Sequence, residues 1–226
     1  MYVLVPVEVL AEMAAIKSFI TLSIVFTLSS GLAANAGGKD GRAGAWRNSA
    51  QGAPELKTCL KLVEKKPQDA VANNDLGWAY RQNCDLTKAE KYLREAIKLN
   101  PQMAQAHSNL SVVLLDSGNA ADAQKEAAQA TTIDATNPIY RVVLGNALAK
   151  AGDRKAAIEQ YRTAVKLKPD YENALYNLGR VLNDDGQRSD AKLELSQALL
   201  YDPKDDRVVK LLDELTGDTA VSSKTK

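Results

Sequence analysis

The chain has 226 residues, 45% hydrophobic and 25% charged, a balance that excludes global disorder and allows one sizeable core. A net charge of +1 leaves no electrostatic footprint for nucleic acid or an anionic membrane. The lone histidine, His107, leaves little room for histidine-based metal or acid–base chemistry.

In chain order, residues 1–36 have the pattern of a signal peptide. Residues 18–32 (SFITLSIVFTLSSGL) are uncharged, Lys17 precedes them, and Ala34-Asn35-Ala36 follows as a small-x-small cleavage sequence. Cleavage is expected after Ala36, giving a periplasmic or secreted protein with no stable membrane insertion. The uncharged run is short against the ~20 apolar residues of a membrane span, and an uncleaved N-terminal anchor is the alternative. Residues 1–12 carry Glu8 and Glu12 but no base, so Met13 is an alternative start. Residues 37–52 (GGKDGRAGAWRNSAQG) lack a helical period and read as a flexible linker carrying Trp46.

A repeat occupies the middle of the chain. Leu76-Gly77, Leu110-Ser111, Leu144-Gly145 and Leu178-Gly179 are each 34 residues apart. Ala89, Ala123, Ala157 and Ala191 keep that spacing, as do Ala96, Ala130, Ala164 and Ala198. Cys84, Gly118, Gly152 and Gly186 mark a turn within each unit. Pro67, Pro101, Pro169 and Pro203 mark the breaks between units, with Ala135 in place of the missing proline. Leucine and alanine at helical spacing form a buried stripe, glycine suits a left-handed turn, and proline stops a helix.

Each unit therefore reads as two antiparallel helices. First helices are expected over 70–83, 104–117, 138–151 and 172–185, and second helices over 86–99, 120–133, 154–167 and 188–201. The units, 70–103, 104–137, 138–171 and 172–205, lie within a folded domain of residues 53–216. A capping helix over 54–64 falls in the register of a second helix. Another over 206–215 falls in that of a first helix, with Val209 and Leu212 covering the last unit. Residues 217–226 (GDTAVSSKTK) are expected to be a disordered tail.

The period and its columns resemble the tetratricopeptide repeat (TPR) family over residues 70–205. The resemblance implies an all-α fold, a right-handed superhelix (solenoid) of four TPR units with flanking half-unit helices. The family's tryptophan column holds Asn73, His107, Arg141 and Leu175 here, and its tyrosine column Tyr80, Leu114, Leu148 and Leu182. Asn73 and Arg141 are costly to bury unless paired, and His107 reads as a partly buried packing residue. Unit 2, with Ser111 for glycine and Ala135 for proline, is expected to be the softest.

Cys59 and Cys84 permit one disulfide in an oxidising compartment, tethering the N-terminal cap to the first turn; two thiols are the alternative. No catalytic arrangement emerges, and no cofactor or metal is expected. Asp184-Asp185 and Asp205-Asp206 suit helix ends better than acid–base pairs. The resemblance instead places ligand contacts on the first helices, lining a concave groove. One column holds Asn74, Ser108, Val142 and Tyr176. The next holds Trp78, Val112, Asn146 and Arg180, and a third Arg81, Leu115, Ala149 and Asn183. Trp78 and Tyr176 are aromatic anchors of the kind enriched in interface hot spots. Arg81 and Arg180 suit a carboxylate or a backbone carbonyl. The alternatives are that Trp78 packs inward and that Val142 belongs to the core. The C-terminal carboxylate clamp of some relatives is not matched, because Ile139 and Val143 occupy its third-unit cation columns.

The expected function is a non-catalytic protein–protein interaction scaffold that binds an extended peptide or a partner's helix. Exported relatives point to assembly of an envelope complex. The alternatives are a self-assembling structural repeat protein and an enzyme with an unrecognised site.

Overall fold

The computed structural model describes residues 55–222, with side chains described as far as residue 217. The expected signal peptide and linker, and residues 223–226, lie outside the described residues. Helix α1 (Leu56–Lys65) precedes four pairs: α2 (Ala70–Gln82) with α3 (Leu86–Leu99), α4 (Ala104–Asp116) with α5 (Ala120–Ile133), α6 (Pro138–Lys150) with α7 (Arg154–Leu167), and α8 (Glu172–Asp184) with α9 (Arg188–Tyr201). Helix α10 (Asp206–Ser222) follows, and no strand occurs among the described residues.

Local chemistry sets where these helices begin. The Asp69 carboxylate accepts from the N–H groups of Val71 and Ala72, Asp85 from Lys88, Asn119 from Asp122, and Asp153 from Ala156. Each satisfies a donor that the helix itself leaves unpaired. Asn137 caps α6 in the same way, with Pro138 in the first turn, where its missing N–H costs nothing. Between the helices of a unit the chain turns through a left-handed residue: Cys84 at φ 60°, Gly118 at 84°, Gly152 at 92° and Gly186 at 83°. Glycine takes this conformation freely, but Cys84 carries a side chain there, at a cost of roughly 1–2 kcal/mol.

Packing within a unit depends on a size exchange between its two helices. A Cβ on Gly77 would lie 2.6 Å from Leu93, one on Gly145 2.6 Å from Tyr161, and one on Gly179 2.6 Å from Leu195. The backbone of the first helix therefore rests directly on a large side chain of the second. Unit 2 reverses the sizes. Ser111 stands in the glycine column, and the facing column holds Ala127; both are fully buried. The serine is accommodated by shrinking its opposite number, but its hydroxyl has no hydrogen-bond partner.

The column that holds tryptophan in the family has its own local solution. Asn73 donates to the carbonyls of Pro67 and Asp69, both at 2.9 Å. His107 donates to the carbonyl of Pro101 at 3.0 Å, and Arg141 to that of Ala135 at 3.4 and 3.3 Å. Three different side chains thus answer the carbonyl six residues earlier, which removes the burial cost expected for Asn73 and Arg141.

Three expectations are corrected. Cys59 and Cys84 are not joined. Cys59 is buried in the core, where desolvation and the nearby Asp75 push its thiol up to about 11, while Cys84 is exposed on its turn. Val209 is 38% exposed, and Val208 is the buried residue, because Val208 continues the column of Ala72, Ala106, Tyr140 and Ala174. Helix α10 runs to Ser222 rather than stopping at 215, since Gly217 does not adopt the left-handed conformation that would end it.

Replacing Cys84 by glycine is expected to raise stability by about 1 kcal/mol, because the strain relieved exceeds the flexibility added to the unfolded chain. Urea denaturation reads this directly, and a destabilised Cys84→Gly protein would refute the strain. Gly145→Ala should lower stability by about 1–3 kcal/mol through collision with Tyr161. Ser111→Ala should raise it by about 1 kcal/mol by deleting an unpaired buried hydroxyl. Equal effects of these two alanines in thermal melts would contradict the size exchange.

Candidate functional site

Each second helix packs on the first helix of the next unit, and the first helices also approach one another, α2 to α4, α4 to α6, α6 to α8 and α8 to α10, while the backbones of successive second helices stay apart. The first helices therefore form the short inner side of the curve, and the second helices fan outward. Residues on the inner side sit between neighbouring first helices, so their exposure depends on how tightly those helices stack.

This separates the three expected columns. Asn74, Ser108 and Val142 are 0%, 4% and 5% exposed, so the packing alternative holds for Val142 and extends to two polar neighbours. Asn74 is also committed across units, accepting a hydrogen bond from Asn109 at 2.9 Å. Tyr176 alone in that column is half-buried, with the Arg207 guanidinium 4.8 Å over its ring. In the other two columns Trp78, Val112, Asn146 and Arg180, and then Arg81, Leu115, Ala149 and Asn183, are all half-buried and reach the surface. Their middle portion, Val112 and Leu115, is apolar, and Val112, Leu115 and Ala149 pack onto the core.

Comparison with known proteins fits this geometry. Residues 74–138 match a family model described as tetratricopeptide repeat, and residues 145–186 one described as TPR repeat. These two stretches carry tetratricopeptide repeat sequence. The human tetratricopeptide repeat protein 6 is 27% identical over 155 residues, 68% of this chain and 29% of its own length. A TPR repeat-containing protein of Pseudomonas aeruginosa is 33% identical over 106 residues, 47% of this chain and 43% of its own. The matched region thus spans less than half the length of either relative. Among solved structures, a thermophilic TPR protein of Thermus thermophilus aligns with a TM-score of 0.63 at 18% identity, covering 71% of this chain and 88% of its own. MamA from Desulfovibrio magneticus aligns at 0.59 and 18%, covering 67% and 85%. YrrB, described as a TPR protein with an unusual peptide-binding site, aligns at 0.58 and 18%, covering 73% and 85%. At such identities the structural likeness shows the fold alone.

The polar groups of the TPR wall are partly engaged. Arg81 donates to Asp116 of the next unit at 2.6 Å and lies 4.7 Å over the ring of Trp78. Arg180 pairs with Asp184 at 3.9 Å. Tyr161, fully buried on α7, donates to the side-chain oxygen of Asn146 at 2.7 Å, and burial pushes its hydroxyl pKa far up. The sequence reading missed Asp116, Lys150 and Arg154, which border the same wall. Asp116, Lys150 and Asp184 form a column one residue beyond Leu115, Ala149 and Asn183, and Arg154 opens α7. Their signal was a single periodic step past the columns considered. Among the described residues no group of three or more His, Cys, Asp or Glu side chains is placed to hold a metal, and no helix is long and apolar enough to cross a membrane.

His107 lies off the wall, buried between α4 and α5. Its Nδ1 is 2.6 Å from a Glu126 carboxylate oxygen and its Nε2 3.0 Å from the Pro101 carbonyl. The Pro101 carbonyl and an ionised Glu126 only accept, so this pocket is matched to the doubly protonated imidazolium form of the ring. The bond to Glu126 raises the His107 pKa above its ordinary value, against desolvation, with the Pro101 carbonyl assisting. A raised folded pKa means that this stabilisation is complete below about pH 6.5 and is lost as pH rises through the folded value. The urea midpoint of the wild type should therefore fall between about pH 6 and pH 8 relative to His107→Gln. Parallel pH profiles for the two proteins would refute the imidazolium.

Proposed function

We propose that the protein is a non-catalytic scaffold whose inner wall holds an extended peptide or a partner's helix, acting after export in the assembly of an envelope complex. The observation that carries this reading is the continuous row of half-buried side chains along the first helices, apolar at Val112 and Leu115 and flanked by Trp78, Asn146, Arg180 and Tyr176. Such a row offers a partner an apolar strip with polar edges, the usual anatomy of an interface. Trp78, stiffened by Arg81 above it, is the kind of aromatic that dominates binding energy. The repeats themselves favour protein or peptide partners, and the peptide-binding site described for YrrB agrees with that class of ligand. The export signal read in residues 1–36 supports the location.

Self-assembly by continuing the superhelix from chain to chain is the weaker reading. Asp213 stands in the column of Gly77, Ser111, Gly145 and Gly179, where a close helix is admitted only over a small residue. Leu62 stands in the column of the fully buried Ala96, Ala130, Ala164 and Ala198. A further helix stacked at either end would meet a carboxylate or a leucine where the array needs a small residue.

Tagged protein, incubated with envelope extract, should recover a defined partner that Trp78→Ala with Val112→Asp recovers at least about tenfold less, the scale of a lost hot spot. A photo-crosslinker at Val112 should reach the same partner, and one at Glu159 on the outer helices should not. Equal recovery and equal crosslinking from both faces would sink the groove.

A further inference from the structure

The cations of the wall differ in what holds them. Arg81 is neutralised by Asp116 at 2.6 Å and covered on one face by Trp78. Arg180 makes a long ion pair, 3.9 Å, with Asp184 and also lies beside the Tyr161 hydroxyl, so it is held less tightly by a carboxylate than Arg81 is. Lys150 is exposed at the end of α6 and Arg154 at the start of α7, and neither makes an ion pair among the described residues. These three cations surround one cleft of about 220 Å³ between α6 and α8, together with Asn146 and a single acid, Asp184.

One polar group of the cleft is oriented from behind by a buried side chain. Tyr161 is fully buried and donates its hydroxyl hydrogen to the Asn146 oxygen at 2.7 Å. That bond orients the Asn146 amide, whose NH₂ group remains a donor. Lys150, Arg154, Arg180 and Asn146 therefore all present donors, three of them charged, to the same space. Such a set matches a carboxylate, and charge-assisted bonds of this kind are the strong ones. The other units lack the arrangement. The positions of Asn146, Lys150 and Arg154 are held by Trp78, Gln82 and Leu86 in unit 1, and by Val112, Asp116 and Ala120 in unit 2.

Resting on the scaffold reading, we propose that the cleft between α6 and α8 binds the side-chain carboxylate of an acidic residue within an extended peptide lying along the wall. A side chain fits better than a chain terminus because the wall continues past the cleft, to Leu115 on α4 in one direction and Tyr176 on α8 in the other. A peptide in the groove crosses the cleft instead of ending in it. The acidic residue gives such a peptide its position along an otherwise apolar strip.

The test uses an acetylated, amidated Gly-Glu-Gly-Glu-Gly peptide, its glutamine counterpart, and a glycine peptide with a free C-terminus. Each is titrated into the labelled full-length protein at low ionic strength and followed by backbone amide shifts. The glutamate peptide should give saturable shifts confined to residues 146–154 and 180–184, and the glutamine peptide should give none there. Lys150→Ala with Arg180→Ala should weaken binding about tenfold or more, as expected for two lost charge-assisted contacts. Lys125→Ala, which removes the same charge from the outer face, should leave it unchanged, and dispersed spectra confirm that each variant folds. The proposal is overturned if the glutamate peptide does not bind, if the glutamine peptide moves the same amides, if shifts scatter over outer lysines such as Lys91 and Lys125, or if only the free C-terminus binds. Each of those outcomes leaves the Trp78 and Val112 recovery experiment intact, so the scaffold reading stands or falls separately.

Discussion

In three of the four units a glycine on the first helix lets a large side chain on the second lie against its backbone, and in unit 2 a serine faces an alanine instead. Gly77 receives Leu93, Gly145 receives Tyr161, and Gly179 receives Leu195, at distances that leave no room for a methyl group. Interiors are packed too densely to absorb even one added carbon without movement elsewhere. This contact fixes the spacing of the two helices, hence the thickness of the unit, hence the angle at which the next unit stacks. The alanine columns on the second helices, fully buried throughout, complete the same close fit.

The wall is a by-product of that stacking. Because successive first helices approach one another while the backbones of successive second helices stay apart, the array curves, and the inner row is held at half exposure. Half exposure serves recognition well. The side chains are already ordered by their neighbours, so a ligand loses less free energy in immobilising them. The polar pairs along the wall extend this ordering across unit boundaries, with Arg81 reaching Asp116, Asn109 reaching Asn74, and Arg207 lying over Tyr176.

Much of this was legible in the sequence because the repeat is its own alignment. Four copies of Leu76-Gly77 and of Ala89 fix the period, and the second helices span the expected residues. Four kinds of detail escaped it. Periodicity identifies which residues share a face but not how deep that face sits, so Asn74, Ser108 and Val142 were placed on a wall that lies one column over. Asn73 and Arg141 looked costly to bury, whereas each reaches the carbonyl six residues earlier. Two cysteines in one vicinity suggested a bond, but a left-handed turn holds Cys84 at the surface while Cys59 faces the core. At the last helix the column count slipped by one, trading Val208 for Val209.

The size exchange within units has a consequence for how such arrays change over time. A first helix and its own second helix are matched parts: joining α4 to α7 would press Ser111 onto Tyr161, and joining α6 to α5 would leave a hollow between Gly145 and Ala127. Duplication or recombination that breaks between the two helices of a unit therefore produces misfits, whereas a break at the inter-unit prolines keeps each matched pair together. Lineages descended from this chain should lengthen or shorten by whole units and should drift at the two facing positions in step.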